Sequence, residues 1–232
     1  MGPRRWFPDA LTGERVVLRR HSTDNLRAFE RWYSDPEVVR LTRYQDGPMR
    51  HDEIERFFAA RALGLESLSM AIHVRETNRL IGTCALSQLD ADNGSALYHI
   101  TIGEKDAWGH GYGTEATALM MGHAFDGLGL HRVALSVFAF NERAIRSYAS
   151  IGFVVEGRAR EAIWREDRWW DELTMSLLDS DWSRRSHPGQ MPSGGERSSD
   201  GSDGADRTGT GEPAAGRGRR GGTLAGILGR RR

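Results

Sequence analysis

Two short segments carry residue types that could bind a phosphorylated ligand and transfer a proton. The first, Asp106 to Met121, places glycines at positions 109, 111 and 113 directly before helix-forming sequence. Glycines at alternate positions permit positive φ angles and close approach of a ligand to the backbone, and the N–H groups at a helix start attract anions. The segment therefore predicts either an anion-binding nest or a tight turn without a ligand.

Two other phosphate-binding motifs fit this loop poorly. A Walker loop needs Gly-Lys-Ser/Thr at its end, whereas Lys105, the only lysine of the chain, precedes the glycines. Residues 111–116 do match the dinucleotide-binding spacing G-x-G-x-x-A. That motif also expects an acidic residue at the end of the next strand, and here the strand ends in Phe138-Ala-Phe-Asn141. Dinucleotide binding is therefore disfavoured.

The second segment, Asn141 to Phe153, reads as a short helix that begins at an Asn cap and ends at Gly152. Asn141, Ala144 and Tyr148 lie at i, i+3 and i+7, so they share one helix face. An amide, a small residue and a phenol on one face suit a groove in which the phenol donates a proton. The alternative is a helix cap, a packing alanine and a half-buried tyrosine.

The elements around these segments predict an α/β (α+β) fold. Strands are expected at 14–20, 70–75, 80–89, 96–103, 131–139, 152–156 and 173–178. Helices are expected from a cap at 22–24 to about residue 34, and at 51–65, 114–126 and 141–150. Antiparallel hairpins followed by strand–helix–strand units imply a mixed, mostly antiparallel central sheet with helices on both faces.

Composition divides the chain into one domain, residues 1–182, and a disordered Gly/Arg-rich tail, residues 183–232. The tail holds 13 of the 28 glycines and ten arginines against five acidic residues, a net charge of +5 that leaves the rest of the chain at −5. Such a tail has too little apolar surface to order itself. It is expected either to contact RNA or an acidic partner weakly, as a tether, or to be solvated without a partner.

Cysteine usage and hydropathy bound the setting of the domain. Cys84 is the single cysteine, which excludes an internal disulfide, and its apolar surroundings predict a buried side chain. No stretch approaches 18 apolar residues, and the N-terminus lacks the apolar core of a signal peptide. The sequence predicts a cytoplasmic protein without a membrane span.

Together these segments resemble the GCN5-related N-acetyltransferase (GNAT) superfamily, and most closely its branch of ribosomal-protein N-terminal acetyltransferases. The resemblance covers about residues 15–178. It depends on the order and spacing of Ile81-Gly82, Ile102, Trp108–Ala116, and Asn141–Phe153 followed by Glu156-Gly157. The family usually carries Arg or Gln at the position of Trp108, and the ribosomal-protein branch tolerates Trp there.

The resemblance implies transfer of an acetyl group from acetyl-CoA to a primary amine, with no metal. It implies that the strand before the loop splays away at a bulge to receive the pantetheine arm, and that Tyr148 protonates the departing thiolate. The implied cofactor contacts are Ile100, Ile102, His110, Gly111, Tyr112, Gly113, Thr114, Asn141 and Ala144.

The general base is less sharply indicated. Some relatives carry a glutamate where this chain has Ser95, which cannot serve as a base. His99, His73 and Glu161 are the candidates, and His99 is favoured because a histidine titrates near neutrality and this one lies on the strand implied to hold the thioester.

The acceptor is expected near an aromatic and acidic cluster late in the chain. Acidic and aromatic side chains together suit a cationic amine, although a packed tryptophan cluster with a solvated acidic rim explains the same residues. The cluster comprises Trp164, Trp169 and Trp170 with Glu161, Glu166, Asp167, Asp171 and Glu172. A protein N-terminus, a polyamine and an aminoglycoside all remain candidate acceptors. The competing class is a non-catalytic CoA-binding module on the same fold, and a second copy of the chain is a further candidate partner.

Overall fold

An eight-stranded sheet organises residues 7–45, 47–64 and 67–186, which are the residues that the computed structural model describes. The strands lie in the order β1-β2-β3-β4-β5-β6-β8-β7. All neighbouring pairs are antiparallel except β5 and β6, which are parallel, so the predicted mixed sheet is confirmed. The strands are β1 (Ala10–Thr12), β2 (Val16–Arg20), β3 (Leu68–Val74), β4 (Leu80–Asp90), β5 (Ser95–Ile102), β6 (Arg132–Phe138), β7 (Val154–Arg165) and β8 (Arg168–Leu178).

Helices cover both faces of this sheet. They are α1 (Leu26–Ser34), α2 (Pro36–Thr42), α3 (His51–Phe58), α4 (Tyr112–Gly122), α5 (Glu142–Ile151) and α6 (Asp179–Ser186). Buried side chains such as Met120 and Ile151 join α4 and α5 to the main core, which also contains Cys84. A second cluster, including Phe29 and Phe58, packs α1–α3 together. The two clusters confirm helices on both faces and a buried cysteine.

Several elements were not predicted from the sequence. The segment Ser34-Asp-Pro36 ends α1 as expected, but it also starts α2, because the Asp35 side chain accepts the Glu37 N–H at 2.9 Å and Pro36 occupies the first turn. Strands β7 and β8 extend far beyond the predicted bounds, since their charged, exposed residues hide the strand pattern. The disordered tail was predicted to start at residue 183, but residues 183–186 complete α6, so the prediction is wrong for these four residues. The rest of the predicted tail, residues 187–232, lies outside the described residues.

The described residues include no helix with the length and hydropathy of a membrane span.

Strands β5 and β6 separate partway along their length. They pair only where Ser95–Leu97 faces Arg132–Ala134. Beyond that point β5 stays with β4 as far as Ile102, and β6 stays with β8 as far as Phe138, so a gap opens between the two strands. This is the splaying that the resemblance implied, but the pairing irregularity lies in β4 between Ser87 and Asp90 rather than in β5.

Candidate active site

A cavity of about 800 Å³ occupies the gap between β5 and β6. Side chains alternate between the two faces along β5, and consecutive β5 residues line the cavity. The cavity therefore reaches both faces of the sheet. Tyr98 points to the α4 face, where its hydroxyl donates to Thr117 Oγ1 at 3.0 Å. Thr101 points to the opposite face, where its hydroxyl lies 3.4 Å from that of Tyr33 on α1. His99 shares the face of Thr101, so the cavity connects the α4–α5 side of the sheet with the α1–α3 side.

The glycine loop borders the cavity on the α4 side. Gly109 has φ 79° and Gly111 has φ 78°, and both angles are rare for residues with a side chain. Helix α4 begins at Tyr112, two residues earlier than predicted, and Gly111 is its N-cap residue. The N–H groups of the first helical turn have no acceptor within the helix, so they form a site for an anion.

Arg15 and Glu115 fix this loop against β2. The Glu115 carboxylate accepts the N–H groups of Arg15 at 2.8 Å and Val16 at 3.2 Å, and it forms a 3.0 Å ion pair with the Arg15 guanidinium. The same guanidinium donates to the His110 carbonyl at 2.8 Å. No sequence pattern pointed to Arg15, because its partners lie about a hundred residues away along the chain.

The predicted loop residues differ in position. Gly111, Tyr112, Gly113 and Thr114 line the cavity, as does Trp108 before them. His110 is exposed and lies outside the lining. The structure therefore brings together the predicted loop contacts except the His110 side chain.

Helix α5 forms the adjoining wall of the cavity. Asn141, Ala144 and Tyr148 all line it, as their shared helix face predicted. Asn141 also caps the helix, because its Oδ1 accepts the Ala144 N–H at 3.3 Å. Tyr148 is buried, and burial raises the pKa of its hydroxyl, which therefore keeps its proton at neutral pH. The hydroxyl can act as a proton donor.

The free edge of β5 contributes backbone groups. The Gly103 N–H donates to the Ile81 carbonyl of β4 at 2.9 Å. Hydrogen bonding alternates along a strand, so the N–H and C=O groups of Ile100 and Ile102 point the other way, into the gap. The Ile102 carbonyl accepts the Trp108 indole N–H at 2.7 Å. The Ile100 groups and the Ile102 N–H are thus placed to bind an extended ligand.

Among the candidate bases, His99 lines the cavity, whereas His73 and Glu161 do not. Ser95, at the position where some relatives carry a glutamate, also lies outside the lining. The His99 Nε2 atom lies 2.8 Å from Ser87 Oγ. The His99 side chain is exposed to the cavity, but desolvation by the surrounding protein, together with the positive charge of Arg61, lowers its pKa to about 4. The imidazole is therefore neutral at physiological pH and can accept a proton, but it is a weak base.

The loop after α2 closes the cavity on the α1–α3 side. The buried Arg165 donates from Nη2 to the carbonyls of Arg43, Tyr44 and Gln45 at 2.8, 2.9 and 2.8 Å. Tyr44 in turn donates its hydroxyl to the Glu172 carboxylate. Burial and this hydrogen bond raise the pKa of Tyr44 to about 12, so its hydroxyl stays protonated.

The predicted aromatic and acidic cluster contributes little to the cavity. Glu172 is its only member that lines it. Trp164 and Trp169 are 47% and 54% exposed and pack on each other at the end of the β7–β8 hairpin, with ring centroids 5.1 Å apart. Glu166 and Asp171 form ion pairs of 2.6 and 2.7 Å with arginines outside the cavity lining. The alternative interpretation, an aromatic cluster with a solvated acidic rim, describes the hairpin better.

Comparison with known proteins agrees with this geometry. Residues 15–154 match the family model that is described as "Acetyltransferase (GNAT) domain". The chain is 29% identical over 180 residues to the "Uncharacterized N-acetyltransferase p20" of Bacillus licheniformis, covering 75% of this chain and 99% of that protein. It is 27% identical over 182 residues to the spermidine N(1)-acetyltransferase of Escherichia coli, covering 76% and 89%.

A solved structure shows the same fold. The spermidine N-acetyltransferase of Vibrio cholerae, in complex with CoA and spermine, superposes with a TM-score of 0.66 at 22% identity, covering 73% of this chain and 99% of that one. The chain therefore belongs to the GNAT family of acetyl-CoA-dependent N-acetyltransferases. The ribosomal-protein branch within that family stays a prediction.

Proposed function

We propose that this cavity holds acetyl-CoA on the α4–α5 side and receives a primary amine from the α1–α3 side. The observation that carries the proposal is the gap between β5 and β6, which joins the two faces of the sheet. The glycine loop and Tyr148 line it towards one face, and His99 and Glu172 line it towards the other.

The residues on the α4–α5 side fit CoA. The pyrophosphate binds the N–H groups from Gly111 to Thr114, where the positive end of the α4 dipole adds to the attraction. The pantetheine arm lies along the Ile100–Ile102 edge and meets Asn141, and the small side chain of Ala144 leaves space beside it. When bound, acetyl-CoA supplies an acetyl group activated as a thioester.

Proton transfer belongs to the residues at the gap. As the bond from the amine nitrogen to the acetyl carbon forms and the carbon–sulfur bond breaks, Tyr148 donates its hydroxyl proton to the sulfur. A thiol has an ordinary pKa of about 8.5, so this donation accelerates the reaction only modestly. His99 accepts the proton that the amine loses, with a water molecule as the relay between them. Holding the two reactants in line supplies much of the remaining rate.

The acceptor is a primary amine whose nitrogen lies near Glu172. Names of relatives support a small molecule, since two of the proteins above act on spermidine by name. A protein N-terminal amine is the second candidate, and it depends on the resemblance to the ribosomal-protein branch. Tyr148 and Asn141, both in the cavity wall, favour catalysis over a non-catalytic CoA-binding module.

Calorimetric titration with CoA and a Tyr148→Phe variant test the proposal. We expect CoA to bind both proteins with affinities within about twofold of each other. We expect kcat to fall roughly 10- to 100-fold in the variant, because only the proton donor is lost. Absence of CoA binding would contradict the whole proposal. An unchanged kcat would contradict only the role of Tyr148.

A further inference from the structure

We infer that the acceptor of this enzyme carries an anionic group, a carboxylate, a short distance from its primary amine. The inference depends on the proposed function and concerns the α1–α3 end of the same cavity. Two arginines, Arg43 and Arg61, line that end, and Glu172 is the only carboxylate among the described residues that line the cavity.

Arg61 lies in the turn that continues α3, residues 59–63. Its guanidinium carbon is 5.7 Å from the centre of the Phe57 ring, and both side chains line the cavity. The charge of Arg61 acts on His99: desolvation and this charge together lower the pKa of His99 to about 4. No described carboxylate forms an ion pair with Arg61.

Arg43 follows α2 and approaches the same place from the other side. Its guanidinium donates to the uncharged Gln45 side chain at 2.9 Å, and it too has no carboxylate partner within the described part of the chain. Burial raises the pKa of Tyr33, while the charges of Arg61 and Arg43 both act in the opposite direction. Both cations therefore lie near one buried ring in the cavity wall.

Three other arginines on α1, α2 and α3 show a different pattern. Arg31, Arg40 and Arg56 each form an ion pair with a carboxylate, at 2.7, 2.6 and 2.9 Å. A partly desolvated cation without an anionic partner is unfavourable, because desolvation is not offset by an opposite charge. Arg43 and Arg61 are cations of this kind, because they line an aromatic cavity and have no anionic partner among the described residues. A carboxylate on the acceptor would supply the missing partner.

The distribution of charge also argues against a polyamine. Glu172 can attract one ammonium group, with Tyr44 holding its carboxylate in place. A second ammonium in the same molecule would approach Arg61 and Arg43, where like charges repel. An amino acid, or a peptide with an acidic residue near its N-terminus, instead places its amine towards Glu172 and its carboxylate towards the two arginines.

Matched acceptor pairs test this inference. One pair is an α-amino acid and its α-carboxamide, and the other is a peptide with an N-terminal Asp and the same peptide with Asn. Spermidine is the polycation in the panel. Each amine is compared at equal concentration of its unprotonated form. In at least one pair we expect kcat/KM for the carboxylate-bearing member to exceed that for its neutral counterpart, and that for spermidine, at least tenfold. The two pairs separate a free amino acid from a peptide N-terminus.

Variants assign the preference to the two side chains. Arg61→Gln and Arg43→Gln are expected to reduce the preference within each pair about tenfold, mainly through KM for the acid. Because the Arg61 charge also acts on His99, any change in kcat in Arg61→Gln should be shared by both members of a pair. Arg56→Gln is the matched control, because Arg56 lies on α3 outside the cavity lining. CoA affinity is measured in every variant and is expected to stay within twofold.

Three results overturn the inference while leaving the acetyltransferase proposal in place. The first is spermidine or the neutral members being acetylated as well as the acids. The second is an acid preference that survives both arginine substitutions. The third is that CoA binds, but no carboxylate-bearing amine is acetylated and none stabilises the CoA complex against heat. Failure of CoA to bind contradicts the proposed function itself, and this inference then falls with it.

Discussion

The two ends of the cavity are built from different parts of the polypeptide. The half that we propose for the cofactor, called the cofactor half, consists of the glycine loop, the start of α4, the α5 wall and the β5 edge, and it offers mostly backbone N–H and C=O groups. The half that we propose for the acceptor, called the acceptor half, consists of Tyr44, Arg43, Arg61, His99 and Glu172, and it offers mostly side chains. Backbone groups recognise one cofactor whatever the neighbouring side chains are, whereas side chains can change the acceptor without changing the fold.

Breaking the cofactor half at its backbone should have the largest effect. In Gly111→Val a β-branched residue would have to adopt φ 78°, with its Cβ 3.0 Å from the Arg15 guanidinium. Backbone strain of about 2–3 kcal/mol would displace the loop N–H groups. We expect CoA affinity to fall about 100-fold by calorimetry, with no change in which acceptor is preferred.

Gly129→Val provides the matched control. Gly129 also has a positive φ, 68°, and no atom lies within 4 Å of a Cβ built there, but it is outside the cavity. Both variants should lose comparable thermal stability, and only Gly111→Val should lose CoA affinity. Equal losses of CoA affinity would mean that the effect comes from general destabilisation.

The cofactor half was largely predictable because its determinants are local. The alternating glycines indicated positive φ angles at a helix start, and the spacing of Asn141, Ala144 and Tyr148 placed them on one face, as observed. Arg15 escaped prediction, since its contact with the loop arises only when β2 packs beside α4.

The acceptor half was predictable only in part. Of the late aromatic and acidic cluster, Glu172 alone reaches the cavity. The chain outside the tail carries a net charge of −5, which by itself would suit a basic acceptor, yet the acceptor end of the cavity is lined by Arg43 and Arg61. Net charge averages over the whole surface, whereas recognition depends on the few side chains that long-range packing brings together.

Arg165 tests whether the acceptor half can be disturbed alone. Arg165→Met removes the hydrogen bonds to three carbonyls of the loop after α2 and leaves those carbonyls without their donor. We expect the free energy of unfolding to fall by about 2 kcal/mol and KM for the acceptor to rise about tenfold. CoA affinity and kcat should change less than twofold. A general structural defect would instead change CoA affinity and kcat together with KM.

The control is Arg160→Met on the same hairpin, where the side chain is exposed and outside the cavity. Its stability and KM should match those of the parent protein. A parallel loss of CoA affinity in Arg165→Met would show that the two halves are not independent.

Acid should weaken the chain through the α1–α3 side. Burial lowers the pKa of His21 to about 4 from 6.5, and its ring packs edge-on to Phe29 and Phe58. The folded chain then binds fewer protons than the unfolded chain, so stability is fully present above pH 6.5 and is lost as pH falls towards 4. We expect a loss of about 1.5 kcal/mol between pH 7 and pH 5 from this residue.

Chemical denaturation of the parent and of His21→Gln at both pH values measures the effect. The variant should show a smaller loss on acidification, whatever its stability at pH 7. Hydrogen exchange at pH 5 should increase first in α1 and α3. Earlier exchange in α4 would place the acid-sensitive part in the cofactor half instead.

The smallest effect is expected where the two halves meet, at Trp108. Its indole N–H donates to the Ile102 carbonyl on the β5 edge, and the Arg143 guanidinium lies 4.3 Å from its ring centre. Trp108→Phe keeps an aromatic face for Arg143 but removes the donor, so the edge of β5 is held less firmly. A neutral hydrogen bond contributes about 1 kcal/mol, which predicts a roughly fivefold loss of CoA affinity.

Trp108→Gln keeps a donor and loses the ring. If Gln binds CoA more tightly than Phe does, the hydrogen bond is the larger contribution, and if Phe binds more tightly, the contact with Arg143 is.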